Sequence, residues 1–239
     1  AIGQSALTSN TTASNNTAVG YQAAYSNTTG TQNNAFGYNA LSNITTNSYS
    51  NAFGFGALRY NTGQSNAAFG DSAATGTSGT STGTALAAFG ANSLQQNTSG
   101  SSNTGIGNFA LFSNTTADNN TAVGYQAGYS NTTGTELTAI GKGALYTNST
   151  GDYNTAVGYQ SLRLNTTGFS NSAFGDEALR SNTTGGNNTA SGNIALYANT
   201  TGTENAAFGM QALRFNTTAS SNTAVGYQAG YTNQTGAYN

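Results

Sequence analysis

Apolar positions recur on one long period. A small residue, a large apolar residue (φ) and a glycine stand together as Ala-φ-Gly. The glycine returns at Gly3, Gly20, Gly37, Gly54, Gly70, Gly90, Gly107, Gly124, Gly141, Gly158, Gly175, Gly192, Gly209 and Gly226. Eleven of the thirteen spacings are 17 residues, and the others are 16 (Gly54 to Gly70) and 20 (Gly70 to Gly90). The residue two before the glycine is Ala except at Gly105, and φ is Ile, Val or Phe except at Ser191. Three residues after the glycine stands Ala or Ser, followed by Leu in ten copies. Where Leu is lost at Ala24, Gly128 and Gly230, a Tyr follows at once. Polar residues fill the rest, giving the unit N-T-A-φ-G-Y-Q-A-L-x-S-N-T-T-G-x-x.

A 17-residue unit is too short for a helix pair or a βαβ crossover. Thr, Val, Phe and Tyr punctuated by Asn-Thr-Thr-Gly is the chemistry of short strands between turns. The expected fold is all-β, a parallel β-solenoid (β-roll or β-helix) of about fourteen 17-residue coils. Each coil is expected to hold two short strands and two turns, with coils stacked at about 4.8 Å. Residues 1–239 read as a single array with an irregular loop insertion around 75–84. Both irregular spacings fall in the Asn-Thr-Thr-Gly half, where a loop absorbs them.

Stacking places every column above itself. The φ and Leu columns are expected to form two apolar ladders inside the coil, with Tyr25, Tyr129 and Tyr231 filling the space of a missing Leu. The Asn seven residues after each glycine is expected to form a ladder of side-chain amides. Alternation along a strand then puts Ala opposite φ, on the outer face. A stripe through Ala18, Ala122, Ala156, Ala173 and Ala224 suits close chain-to-chain contact; the alternative is that Ala merely fits a cramped turn.

Composition narrows the function. Five basic and seven acidic residues give a net charge of -2, far too few cations to hold a phosphate backbone. No run of 18 apolar residues is present, so no membrane insertion is expected of this segment. His and Cys are absent, which removes most acid–base, nucleophilic and transition-metal chemistry. The adjacent Asp176 and Glu177 would face opposite sides of a strand and make a poor glycosidase pair. No enzymatic activity, metal or cofactor is expected.

Asn-Thr-Ala-Val-Gly-Tyr-Gln-Ala at 16–23, with close copies at 120–127 and 222–229, resembles the head-domain repeats of trimeric autotransporter adhesins and similar phage and environmental tail-fibre-like proteins. The resemblance covers all fourteen anchors. It implies a left-handed parallel β-roll, three chains per fibre, a cell- or virion-surface location and adhesion to host or matrix ligands. The unit here is longer than the usual adhesin repeat, through Asn-Thr-Thr-Gly.

Three column sets are candidate sites. Five residues after the glycine, Arg59, Arg163, Arg180 and Arg214 share a column with Tyr25, Phe112, Tyr129, Tyr146, Tyr197 and Tyr231. This stripe reads either as an edge where long side chains cover the core or as a ligand or interchain contact. Sequons at Asn27, Asn114, Asn131, Asn165 and Asn182 could carry glycans in an extracellular chain, or be the buried amide ladder; one asparagine cannot do both. Thr pairs such as Thr28-Thr29 raise an ice-binding reading, which the alternation of adjacent residues disfavours. The function expected is an extracellular structural or adhesive fibre segment that associates with itself, as a homotrimer or an end-to-end filament. The alternatives are a head that binds surface glycans or a host receptor and, less favoured, an ice-binding protein. Tyr238-Asn239 followed by Ala1-Ile2-Gly3 nearly recreates an internal junction, so the terminal coils are expected to continue, into a longer array or a stacked subunit.

Overall fold

The structure, a computed structural model, describes residues 1–239. It divides into two compact units, Ala1–Asn119 and Asn120–Asn239. Each unit is a parallel β-solenoid, as the repeat predicts. The first unit holds β1 (Thr17–Val19), β2 (Asn34–Phe36), β3 (Asn51–Phe53), β4 (Ala67–Phe69), β5 (Ala87–Phe89) and β6 (Thr104–Ile106). The second holds β7 (Thr121–Val123), β8 (Thr138–Ile140), β9 (Thr155–Val157), β10 (Ser172–Phe174), β11 (Thr189–Ser191), β12 (Ala206–Phe208) and β13 (Thr223–Val225). Neighbours pair in parallel with each Ala over the next, from Ala122 and Ala139 through Ala156 and Ala173 to Ala224. The first anchor joins as a single bridge, Ile2 to Val19. No helix is long and apolar enough to cross a membrane.

Each coil carries one strand, not the two expected. Past the anchor glycine the backbone alternates into the left-handed region, as at Gln160 (φ 51°) and Leu162 (φ 48°), and does so again at Ser170 (φ 52°). That region is costly for residues with a Cβ. It is offset because the ladder continues: Leu162 N donates to Ala178 O (3.0 Å) and Leu164 N to Arg180 O (3.0 Å). Outside its three-residue strand the coil thus still bonds to its neighbours, without strand dihedrals.

The expected inside and outside of the strand are reversed. Ala18, Ala122, Ala156 and Ala173 are fully buried and Ala224 nearly so, while φ residues such as Ile140 (39% exposed) and Phe174 (44%) point outward. The Ala column is therefore not an outer contact stripe. The reason is width. At Gly105, the one copy without Ala, an added Cβ would meet Ala110 O at 3.2 Å and Leu94 Cγ at 3.4 Å. A methyl group nearly fills the space between the strand and the Leu column, so the larger φ residue must face out. The core is two Ala columns and the Leu column, with Leu94, Leu145, Leu162 and Leu179 fully buried. Tyr25 does not enter the space of a missing Leu; the residue is 37% exposed.

Two ladders of buried amides complete the interior. In the expected one, Asn165 Nδ2 donates to Asn148 Oδ1 (2.8 Å) and Gly168 O (2.8 Å), and Asn182 Nδ2 donates to Asn165 Oδ1 (2.8 Å). The second uses the Asn before each strand. Asn188 Nδ2 donates to Gly202 O (2.8 Å) and Asn171 Oδ1 (3.1 Å), and that same oxygen accepts Asn188 N (3.0 Å). One substitution shows what the first ladder supplies. Ile44 replaces Asn in the third copy, and Asn27 Oδ1 and Asn61 Nδ2 on either side are left buried without partners.

The anchor glycines stack tightly. Gly158 has φ +139°, and a Cβ there would lie 2.3 Å from Gly175 O. The 75–84 insertion forms an exposed turn closed by Thr80 N to Thr77 O (3.2 Å). The chain rejoins the stack at Ser81, which is buried in the amide column, and Thr82 N donates to Thr98 O (2.7 Å).

Two outcomes are expected. Ala156→Leu overpacks the interior and lowers stability by about 1–3 kcal/mol or more, whereas Val157→Leu stays within about 0.5 kcal/mol; equal urea midpoints would contradict the reversed strand. Asn165→Leu strands the polar groups it now pairs and costs about 2–4 kcal/mol, while the same change at the exposed Asn10 stays near the wild-type midpoint.

Candidate binding face

The outward side of each strand presents three columns: the first strand residue, φ, and the residue after the anchor glycine. In the first unit the φ column contains a run of four stacked phenylalanines, flanked by Val19 and Ile106. Phe36–Phe53, Phe53–Phe69 and Phe69–Phe89 have centroids 4.7, 4.6 and 4.8 Å apart and are within 7° of parallel. Beside it runs Tyr21–Tyr38–Phe55, with centroids 4.9 and 5.1 Å apart. The separations are those of stacked coils, so the fold itself sets the ring spacing. Each ring covers the face of the next, and what reaches solvent is a ribbon of ring edges. Tyr38 (47% exposed) and Phe55 (53%) form its most open part.

The second unit carries a different face. Its φ column is mostly aliphatic: Val123, Ile140, Val157, Phe174, Ser191, Phe208 and Val225. The first strand position is Thr in five of the seven strands. After the glycine stand Tyr125, Lys142, Tyr159, Asp176, Asn193, Met210 and Tyr227. The Lys142 ammonium lies 6.0 Å from the Tyr125 ring centroid and 5.9 Å from that of Tyr159.

The Arg/aromatic column lies half-buried at the edge, with Tyr25 more open. The structure joins its members into short runs. Tyr129 stacks on Tyr146 (5.1 Å), over which sits the Arg163 guanidinium (5.2 Å). Arg180 donates to Tyr197 Oη (2.9 Å) and Gln160 Oε1 (3.1 Å) and pairs with Glu177 (3.2 Å). Arg214 donates to Tyr231 Oη (3.2 Å). Arg59 turns to Tyr60 (4.9 Å), and Phe112 meets Phe109 edge-on (5.4 Å). The Arg163, Arg180 and Arg214 guanidiniums thus bind coil to coil, while Arg59 lies over its own neighbour with its Nε buried and unpaired.

The five sequon asparagines are corrected by burial. Asn27, Asn114, Asn131, Asn165 and Asn182 are fully buried. Their Nδ2 atoms donate to main-chain oxygens within the turn, as Asn27 does to Gly30 (2.9 Å) and Asn131 to Gly134 (2.8 Å). A glycan on those nitrogens would take the place of the ladder. The Thr pairs are turn residues: Thr28 Oγ1 donates to Thr45 O (3.1 Å), while Thr29 faces solvent.

The carboxylates serve the stack as well. Asp118 Oδ1 accepts Ser101 N (2.6 Å), and Asp152 Oδ1 accepts Thr135 N (2.8 Å). No group of three acidic side chains gathers where it could hold a metal ion. Comparison with protein-family models, with curated proteins and with solved structures returns no match.

Sequence reasoning missed the outward aromatic face, because it assigned the φ column to the interior. The signal was present: Tyr21, Tyr38 and Phe55 recur at one column spacing beside the Phe run. Phe53→Ala is expected to remove two stacked contacts and cost about 1–3 kcal/mol. Near-ultraviolet circular dichroism of the phenylalanine band would lose intensity, and an unchanged band would deny the stack.

Proposed function

We propose that this chain is a segment of an extracellular structural or adhesive fibre, without catalytic activity, that associates with itself through the outward face of its strands. The observation that carries this reading is the row of large apolar side chains repeated on coil after coil and left half in water. Five aromatics of the first unit are 36–53% exposed along one face. At about 150–250 Å² per ring residue, they present about 400 Å² of largely apolar surface, the size at which patches on soluble proteins have a use. Low charge favours like meeting like, since little repulsion opposes it. The resemblance to adhesin-head repeats supports a cell- or virion-surface location.

A second reading is that the same face, or the Arg/Tyr edge, holds surface glycans or a receptor. The exposed tyrosines favour it, because a phenol offers an apolar ring and a hydrogen-bonding tip. Stacking weighs against sugar platforms in the Phe run, where ring faces are already covered.

Sedimentation equilibrium tests the first reading. The chain is expected to exceed the mass of one copy, and Phe53→Asp, Phe69→Asp, Val157→Asp and Phe174→Asp together, which charge the outward face of both units, to shift it towards monomer while far-ultraviolet circular dichroism stays unchanged. A wild-type monomer at all concentrations would refute self-association. Specific retention of that monomer on a glycan array would select the second reading.

A further inference from the structure

In the second unit, the three outward columns carry only two charges, Lys142 and Asp176. Both stand in the column after the anchor glycine, and both are exposed. Lys142 makes no ion pair within the chain; the one internal salt bridge joins Arg180 to Glu177. Asp176 meets only an amide, Asn193 Nδ2 at 3.3 Å. The two charges are opposite in sign and lie one coil to either side of Tyr159.

That placement is symmetric in a useful way. A two-fold axis lying along the β9 strand direction, in the plane of the face, keeps each column opposite the same column and reverses the order of coils. Tyr159 then faces Tyr159 of a second copy, and Lys142 faces its Asp176. By symmetry the pair forms twice. The φ column agrees, because Val157 meets itself and Ile140 meets Phe174. A two-fold axis along the stack behaves differently: it sets coil against equal coil and crosses the columns, so Lys142 would face Thr138 and meet no charge.

We propose that a second copy of this chain docks antiparallel on the outward face of β7–β11, centred on Tyr159, with Lys142 and Asp176 paired reciprocally. This rests on the self-association reading above and adds the partner's orientation and register to it. It departs from the three chains per fibre that the adhesin resemblance implies, since a three-fold axis also sets coil against equal coil. Five coils at about 4.8 Å, each about 16 Å wide, give about 400 Å². That is half of one partner's share in a standard interface, about 800 Å². Apolar contact over such an area is weakly selective along a repeating face, so the two charge pairs fix the register.

The test uses the full chain and sedimentation equilibrium at low salt. The wild type is expected to dimerise. Lys142→Asp alone sets carboxylate against carboxylate twice, and Asp176→Lys alone sets ammonium against ammonium twice. Each should raise the dimer Kd about tenfold. The double swap should restore the wild-type Kd, and mixing the two single variants should give a heterodimer tighter than either homodimer. A wild-type monomer would overturn self-association and this pairing together. A wild-type trimer, or a dimer whose Kd neither swap alters, would overturn the pairing and leave self-association standing. Both residues are exposed, and unchanged circular dichroism confirms that each variant is folded.

Discussion

The structure depends on how little room lies between the strand and the Leu column. The space accepts a methyl group and little more, as the crowding around Gly105 shows. Everything larger is displaced from the strand's inner face. Alanine is then the fitting occupant, the φ residue turns to solvent, and the outward face acquires its ladders of rings and aliphatics. With an interior this thin, one coil buries too little apolar surface to offset the ordering of its backbone. Stability comes from stacking, in which each coil gives its neighbours hydrogen bonds along its whole circuit.

The amide ladders are the second expression of that thinness. A narrow interior cannot keep its polar turn groups away from the core, so it pairs them internally. The two Asn columns do this in different ways. One ties Asn165 to Asn148 side chain to side chain; the other, at Asn188, also captures a main-chain N–H. Their regularity explains why a single apolar replacement at Ile44 leaves two polar atoms unpaired.

Much of this was legible in the sequence. The period of 17 specified a solenoid, and the irregular copies marked where loops could vary. The Asn column seven residues after the glycine was readable as a ladder, and that reading already set it against glycosylation. Alternation also showed that Ala and φ take opposite sides. What it could not give was which side is inside. Size suggests that Phe53 is core and Ala52 surface, and only the Leu column facing the strand reverses that. The second ladder, at Asn154, Asn171 and Asn188, was visible as a column but masked by its place beside a strand. The left-handed leucines were not legible, because Leu162 and its equivalents adopt that backbone under pressure from the ladder rather than by preference. The Arg/Tyr column was read as a stripe, but its division into runs such as Tyr129–Tyr146–Arg163 needs side-chain positions.

The buried polar layer has a further consequence. Its members are asparagines and serines alone, and neither type gains or loses a proton in the ordinary aqueous range. Folding stability changes with pH only where folded and unfolded chains bind different numbers of protons. An interior held by amides rather than carboxylates or imidazoles exchanges none. The interior's cohesion is therefore decoupled from acidity, and a solenoid built this way keeps its core as its surroundings acidify, leaving the few surface charges to respond.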